Sequence, residues 1–151
     1  MSTAIGLSTP VLAPLLPITG TFALPFSAYF TLLSYRVVKY RLADKQYLGD
    51  NSSKDGDLNN ELYLATRCHQ NFVENVPLAL ALAAFVELNG GNIKVLATAL
   101  SLLLAFRIAH MGMGLMDGLG IGRPIGYWGT SAIIETLGGY AAFLVKGHWG
   151  L

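Results

Sequence analysis

The chain has 151 residues, 13% of them charged and 53% hydrophobic, with a formal net charge of +1, whereas a soluble domain carries about 25% charged residues. A mean hydropathy of +0.49 over the whole length points to a lipid environment, and the near-neutral charge argues against a nucleic-acid partner. The single cysteine, Cys68, excludes an intramolecular disulfide framework.

Residues 1–17 contain Pro10, Pro14 and Pro17, whose missing amide hydrogens and ring clashes break a continuous helix. The first basic residue is Arg36, so the positive start of a cleavable signal is absent and the first apolar segment is expected to stay in the mature protein. A first helix is predicted over residues 18–40, with Pro25 as an internal kink of the kind membrane helices tolerate. Residues 41–60 are rich in Asn, Asp, Ser, Gly and charge and read as a solvated loop. A second helix follows over 61–88, closed by the turn signal Asn89-Gly90-Gly91-Asn92, and a third over 93–115. A glycine-rich connector is predicted from Gly112 to Gly126, and within it Gly118-x-Gly120-x-Gly122 reads as a flexible turn, because no strand precedes it. The fourth helix is predicted over 124–146. Its start carries Tyr127 and Trp128 and its end Trp149; at 1.5 Å per residue these anchors lie roughly 31 Å apart, close to a hydrocarbon core of about 30 Å. The expected architecture is therefore an all-α membrane protein, a four-helix transmembrane bundle in one domain spanning the chain.

The basic residues Arg36, Lys39, Arg41, Lys45 and Lys54 cluster around the first connector, while the second turn has only Lys94. Positive-inside then places the first and third connectors in the cytosol and both termini outside it.

The chemistry is concentrated in the second helix. Arg67, Gln70, Asn71 and Glu74 fall within about one third of a helix circumference and form one polar stripe that runs without a break into an apolar segment. Starting the span later, near Asn75, leaves too few residues to cross a membrane that needs about 20. The stripe is therefore expected inside the bundle, as a functional site with partners. Arg107 and His110 lie one turn apart on one face of the third helix and supply such partners. Glu135 sits mid-span in the fourth helix, with Arg67 or Arg107 as its expected cation and a structural ion pair as its expected role.

The run Arg67-x-His69-x-Asn71-x-x-Glu74-x-x-Pro77, with Arg107-x-x-His110 and the four-helix length, resembles the membrane-associated proteins in eicosanoid and glutathione metabolism, the MAPEG family. The resemblance implies a homotrimer that binds glutathione, as co-substrate, between adjacent subunits. It points to Arg67, Asn71 and Glu74 as glutathione-binding, with Gln70, Arg107, His110 and Tyr127 as further candidates, while His69 lies on the opposite side of its helix. It also places Arg123, at the start of the fourth helix, as the catalytic cation that stabilises the glutathione thiolate; a fixed positive charge near sulfur lowers a thiol pKa. The implied activity is transfer or peroxide reduction on lipophilic electrophiles or lipid hydroperoxides, without a metal. The implied location is the endoplasmic reticulum in a eukaryote or the inner membrane in a bacterium. The chain departs from several eicosanoid-processing members at Gly114, where they carry a tyrosine. The alternatives are a non-enzymatic lipid-binding or scaffold member, in which the polar site is structural, and an unrelated small channel or transporter subunit. Whether Arg123 opens into the same cavity as Arg67 discriminates enzyme from scaffold.

Overall fold

The computed structural model of the chain describes residues 14–49, 60–111 and 120–150. Four helices follow in order: α1 (Pro17–Ala43), α2 (Glu61–Leu88), α3 (Ile93–His110) and α4 (Gly122–Val145), with a short 3-10 turn over Lys146–Trp149. Among the described residues there is no strand. The helices α2 and α3 are each long and apolar enough to cross a membrane. The last predicted residues of the third helix, 112–115, lie outside the described residues, as do Gly114 and Gly118.

Local chemistry sets these boundaries. Pro17 opens α1 at a position where its missing N–H costs nothing, and Pro25 is accommodated inside. Leu16 before it has no capping side chain. Instead the Glu87 carboxylate, from the last turn of α2, accepts from the N–H groups of Ile18 at 2.6 Å and Thr19 at 2.8 Å. The orphan donors of α1 are thus satisfied by a neighbouring helix, with a negative charge at the positive end of the helix dipole. Asn60 and Asn92 cap α2 and α3 through their side-chain oxygens, which accept from Tyr63 N–H at 3.0 Å and Lys94 N–H at 2.9 Å. Between α2 and α3, Gly90 takes a φ of +75°, which is where the chain reverses.

The fourth helix starts two residues earlier than the sequence suggests. Gly122 and Gly126 are helical and buried, so they belong to α4 and not to a connector. A Cβ on Gly126 would collide with His110 Cβ and fall 2.7 Å from the Phe106 carbonyl, and one on Gly129 would fall 2.6 Å from the Phe106 ring. Glycine is present at these positions so that α3 and α4 can approach closely, as small residues allow in membrane bundles.

On α2 the buried residues are Leu62, Ala65, Cys68, Phe72, Val76, Ala79, Ala83 and Val86, a stripe at spacings of three and four. It packs against Phe26 and Leu33 of α1, Leu96, Leu100 and Leu103 of α3 and Leu137 of α4. This stripe corrects one expectation. Because the apolar face of α2 takes the interior, Arg67, Gln70 and Glu74 lie on the outward face and are exposed in the single chain; Asn71, at the edge of the two stripes, is the member that turns inward.

Candidate functional site

The C-terminal half of α1, the N-terminal half of α2, the end of α3 and the start of α4 converge at one end of the bundle. Arg107, only 4% exposed, is the hub there. Its guanidinium donates to Asn71 Oδ1 of α2 at 2.6 Å and to the Gly126 carbonyl of α4 at 2.7 Å. Its own carbonyl accepts from the Tyr29 hydroxyl of α1 at 3.2 Å. One residue thus ties all four helices, and the planar fork of arginine suits two acceptors on different elements. The close approach at Gly126 brings that carbonyl within reach.

One turn on, His110 is 7% exposed and its Nδ1 lies 3.0 Å from the Arg123 carbonyl. A carbonyl only accepts, so Nδ1 carries the proton and, in the neutral ring, Nε2 is the acceptor. This bond fixes the first turn of α4 against the end of α3.

Above this hub a cavity of about 390 Å³ is lined by Arg67, Asn71, His110, Arg123, Pro124, Tyr127 and Trp128. Arg67 and Arg123, from α2 and α4, open into it together. Arg67 is steadied by Gln70, whose Oε1 accepts from its guanidinium at 2.9 Å. Asn71 spends its oxygen on Arg107, so its amide N–H groups are left to face a ligand. The lining side chains are therefore rich in donors: two guanidiniums, the Asn71 amide, the Trp128 indole and the Tyr127 hydroxyl. Such a wall can donate to more than one anionic group at once.

Of the eight residues singled out from sequence, five line this cavity: Arg67, Asn71, His110, Arg123 and Tyr127. Gln70 stands behind Arg67. Arg107 lies beneath the wall, holding Asn71 and Gly126. Glu74 is exposed one turn along the outward face of α2, and no described group bonds it. His69 lies on the other side of α2, where its Nε2 is 3.0 Å from Ser34 Oγ and its ring packs 5.1 Å from Phe30. Glu135 does not meet Arg67 or Arg107. It is exposed on α4, off the face that carries the buried Gly126, Thr130 and Leu137, while Arg107 is engaged by Asn71 and Gly126. Sequence reasoning missed Tyr29, Trp128 and the Gly126 carbonyl. The four-residue step from Gly122 to Gly126 was the available signal of close helix packing, and Trp128 was read only as a membrane-interface anchor.

A model of the MAPEG family matches residues 19–143, which includes every residue of the cavity. An inner membrane protein YecN of Escherichia coli strain K12 is 29% identical over 93 residues, covering 62% of this chain and 66% of the relative. The protein of the same name in Escherichia coli strain CFT073 matches equally. The match thus spans just under two thirds of the length of these relatives. No solved structure matches the chain.

Proposed function

Since the chain belongs to the MAPEG family and is a helical membrane protein, we propose that its cavity binds glutathione and presents it as a nucleophile or reductant to lipophilic electrophiles. The observation that carries this reading is that Arg67 and Arg123, from two different helices, line one cavity with Asn71, His110 and Tyr127. Glutathione has two carboxylates, and a guanidinium pairs a carboxylate through two parallel hydrogen bonds. Arg67 and the Asn71 amide serve one end of the tripeptide. Arg123, at the start of α4, serves the sulfur, where a cation within about 4–6 Å favours the thiolate over the thiol by roughly 1–3 pKa units. The thiolate is the reactive species for addition to an electrophile or attack on a hydroperoxide oxygen.

All four helices cross the membrane in this reading, with the cavity at the cytosolic end beside the basic first connector. In a bacterium that membrane is the inner one, and in a eukaryote it is the endoplasmic reticulum. The lipophilic co-substrate reaches the cavity from the bilayer.

The test is the ultraviolet absorbance of the thiolate on adding glutathione to wild type and to Arg123→Ala at neutral pH. Wild type gives a thiolate band. The variant binds glutathione with similar affinity, because the cation touches sulfur and not the tripeptide's ends, but its band is diminished and turnover drops. A wild type that binds without a thiolate band, or a variant with an undiminished band, removes Arg123 from this role.

A further inference from the structure

The cavity wall carries many donors and little to take a proton. Of its lining side chains, Arg67, Arg123 and Trp128 only donate, Asn71 has its oxygen on Arg107 at 2.6 Å, Pro124 does neither, and the Tyr127 hydroxyl accepts a hydrogen bond but, as a neutral phenol, does not keep a proton. His110 differs. Its Nδ1–H is held by the Arg123 carbonyl at 3.0 Å, which leaves Nε2 as a bare acceptor, and no described group bonds that nitrogen. The ring is 7% exposed and lines the cavity, so a bound molecule is what Nε2 can meet. The same bond joins His110 to Arg123, so the base and the cation are held in register across α3 and α4.

We propose that His110 is a catalytic residue: its Nε2 takes the thiol proton of glutathione as the sulfur becomes a thiolate beside Arg123. The proposal rests on glutathione occupying the cavity. In the step the S–H bond breaks, its electron pair stays on sulfur, and the proton forms a new N–H bond at Nε2, giving an imidazolium that donates from both nitrogens. No oxidant or further reactant is needed. The charged groups around the ring are Arg123 of α4 and Arg107 of its own helix, with Arg67 of α2 lining the same cavity and the titratable Tyr127, Tyr29 and Cys68 nearby. Three cations oppose a fourth in the empty cavity. Glutathione carries two carboxylates and one ammonium, a net charge of −1 that becomes −2 as the thiolate forms, which offsets part of that repulsion, so proton transfer is coupled to binding. After the electrophile has reacted, the imidazolium can return its proton to an alkoxide or hydroxide leaving group as a general acid.

The test counts protons. The full chain in detergent is titrated with glutathione by calorimetry at pH 7 in two buffers of different ionisation heat, which gives the protons released to solvent per site. Ultraviolet absorbance gives the thiolate formed, and S-methylglutathione, which has no thiol proton, supplies the baseline for every other group. The expected result is a thiolate band in wild type with far less than one proton released per thiolate above that baseline. In His110→Asn, whose amide N–H stands in for Nδ1–H toward the Arg123 carbonyl while nothing replaces Nε2, either the thiolate fraction falls several-fold or close to one proton per thiolate reaches the buffer. One full proton per thiolate in wild type overturns the assignment of His110 while leaving glutathione binding intact. The absence of any binding heat overturns the glutathione reading and this one with it. The wild-type measurement decides the matter even where the variant fails to fold.

Discussion

Arg107 illustrates how a residue chosen for its chemistry turns out to be placed by packing. Its spacing from His110 was legible as one helix face, but sequence does not tell which of two neighbouring polar residues reaches the cavity and which lies under it. The deciding contact is with a glycine carbonyl, which leaves no mark in side-chain chemistry. Removing the guanidinium takes the partner from Asn71 Oδ1 and a second donor from the Gly126 carbonyl, and a hydrogen bond to a charged group is worth about 1.5–3 kcal/mol. Arg107→Ala should therefore lower stability by roughly 2–5 kcal/mol in a denaturation series in detergent. Arg107→Lys should recover little of it, because a single ammonium does not span two acceptors on two helices as a planar fork does. Full recovery by lysine in that series would mean that charge alone matters there. At the cavity wall, Arg67→Ala should weaken glutathione binding by about 1.5–3 kcal/mol, the range for a hydrogen bond to a charged group. Glu74→Gln, on the outward face, should do less in the same calorimetric titration of detergent-solubilised protein.

At the scale of elements, the helices were readable where punctuation matched function. Asn60 ends the stretch read as a loop and Asn92 the turn signal, and each caps the helix that follows it; the bounds of α2 coincide with the predicted 61–88. The start of α4 was not, because glycine signals both a turn and a close approach, and only the position of α3 tells the two apart. Gly126→Ala should be destabilising by more than its gain in helix propensity of about 1 kcal/mol, since the added carbon meets His110 and the Phe106 carbonyl. Its measurable signature would be loss of glutathione binding together with lowered thermal stability, as the α3 to α4 contact carries both the hub and the cavity. The clasp at the far end was invisible in sequence for a different reason: Glu87 and Ile18 are 69 residues apart. Glu87→Ala should free the first turn of α1 and raise its amide hydrogen exchange, with a stability loss of about 0.5–2 kcal/mol as for other lost caps. Unchanged exchange at Ile18 and Thr19 would show that the carboxylate is not what holds that turn.

For the whole molecule, the polar stripe of α2, expected inside the bundle, lies mostly on its outward face. Arg67, Gln70 and Glu74 on α2 and Glu135 on α4 are exposed in the single chain, and ionisable groups on membrane helices are costly against lipid. A second copy of the chain is the economical cover for both faces, and a homotrimer is the proposed assembly. Native mass spectrometry in mild detergents should show trimers, and only monomers across several detergents would contradict it. Glu135→Leu should weaken that assembly if an arginine or lysine of the next copy faces it. What remained hidden from sequence is this division of one polar stripe between an inward residue, Asn71, and outward ones, which depends on the register of α2 against its neighbours.

The central claim about the molecule is that the cavity between Arg67 and Arg123 takes glutathione. The most direct measurement is the thermal unfolding of the detergent-solubilised chain with and without millimolar glutathione, for wild type and Arg67→Ala. A ligand that binds only the folded state stabilises it by about 2.7 kcal/mol at a hundred times its dissociation constant. Wild type should therefore show a clear rise in midpoint and Arg67→Ala a much smaller one at the same concentration. A wild-type midpoint that does not move with glutathione, or moves equally in the variant, would contradict the account.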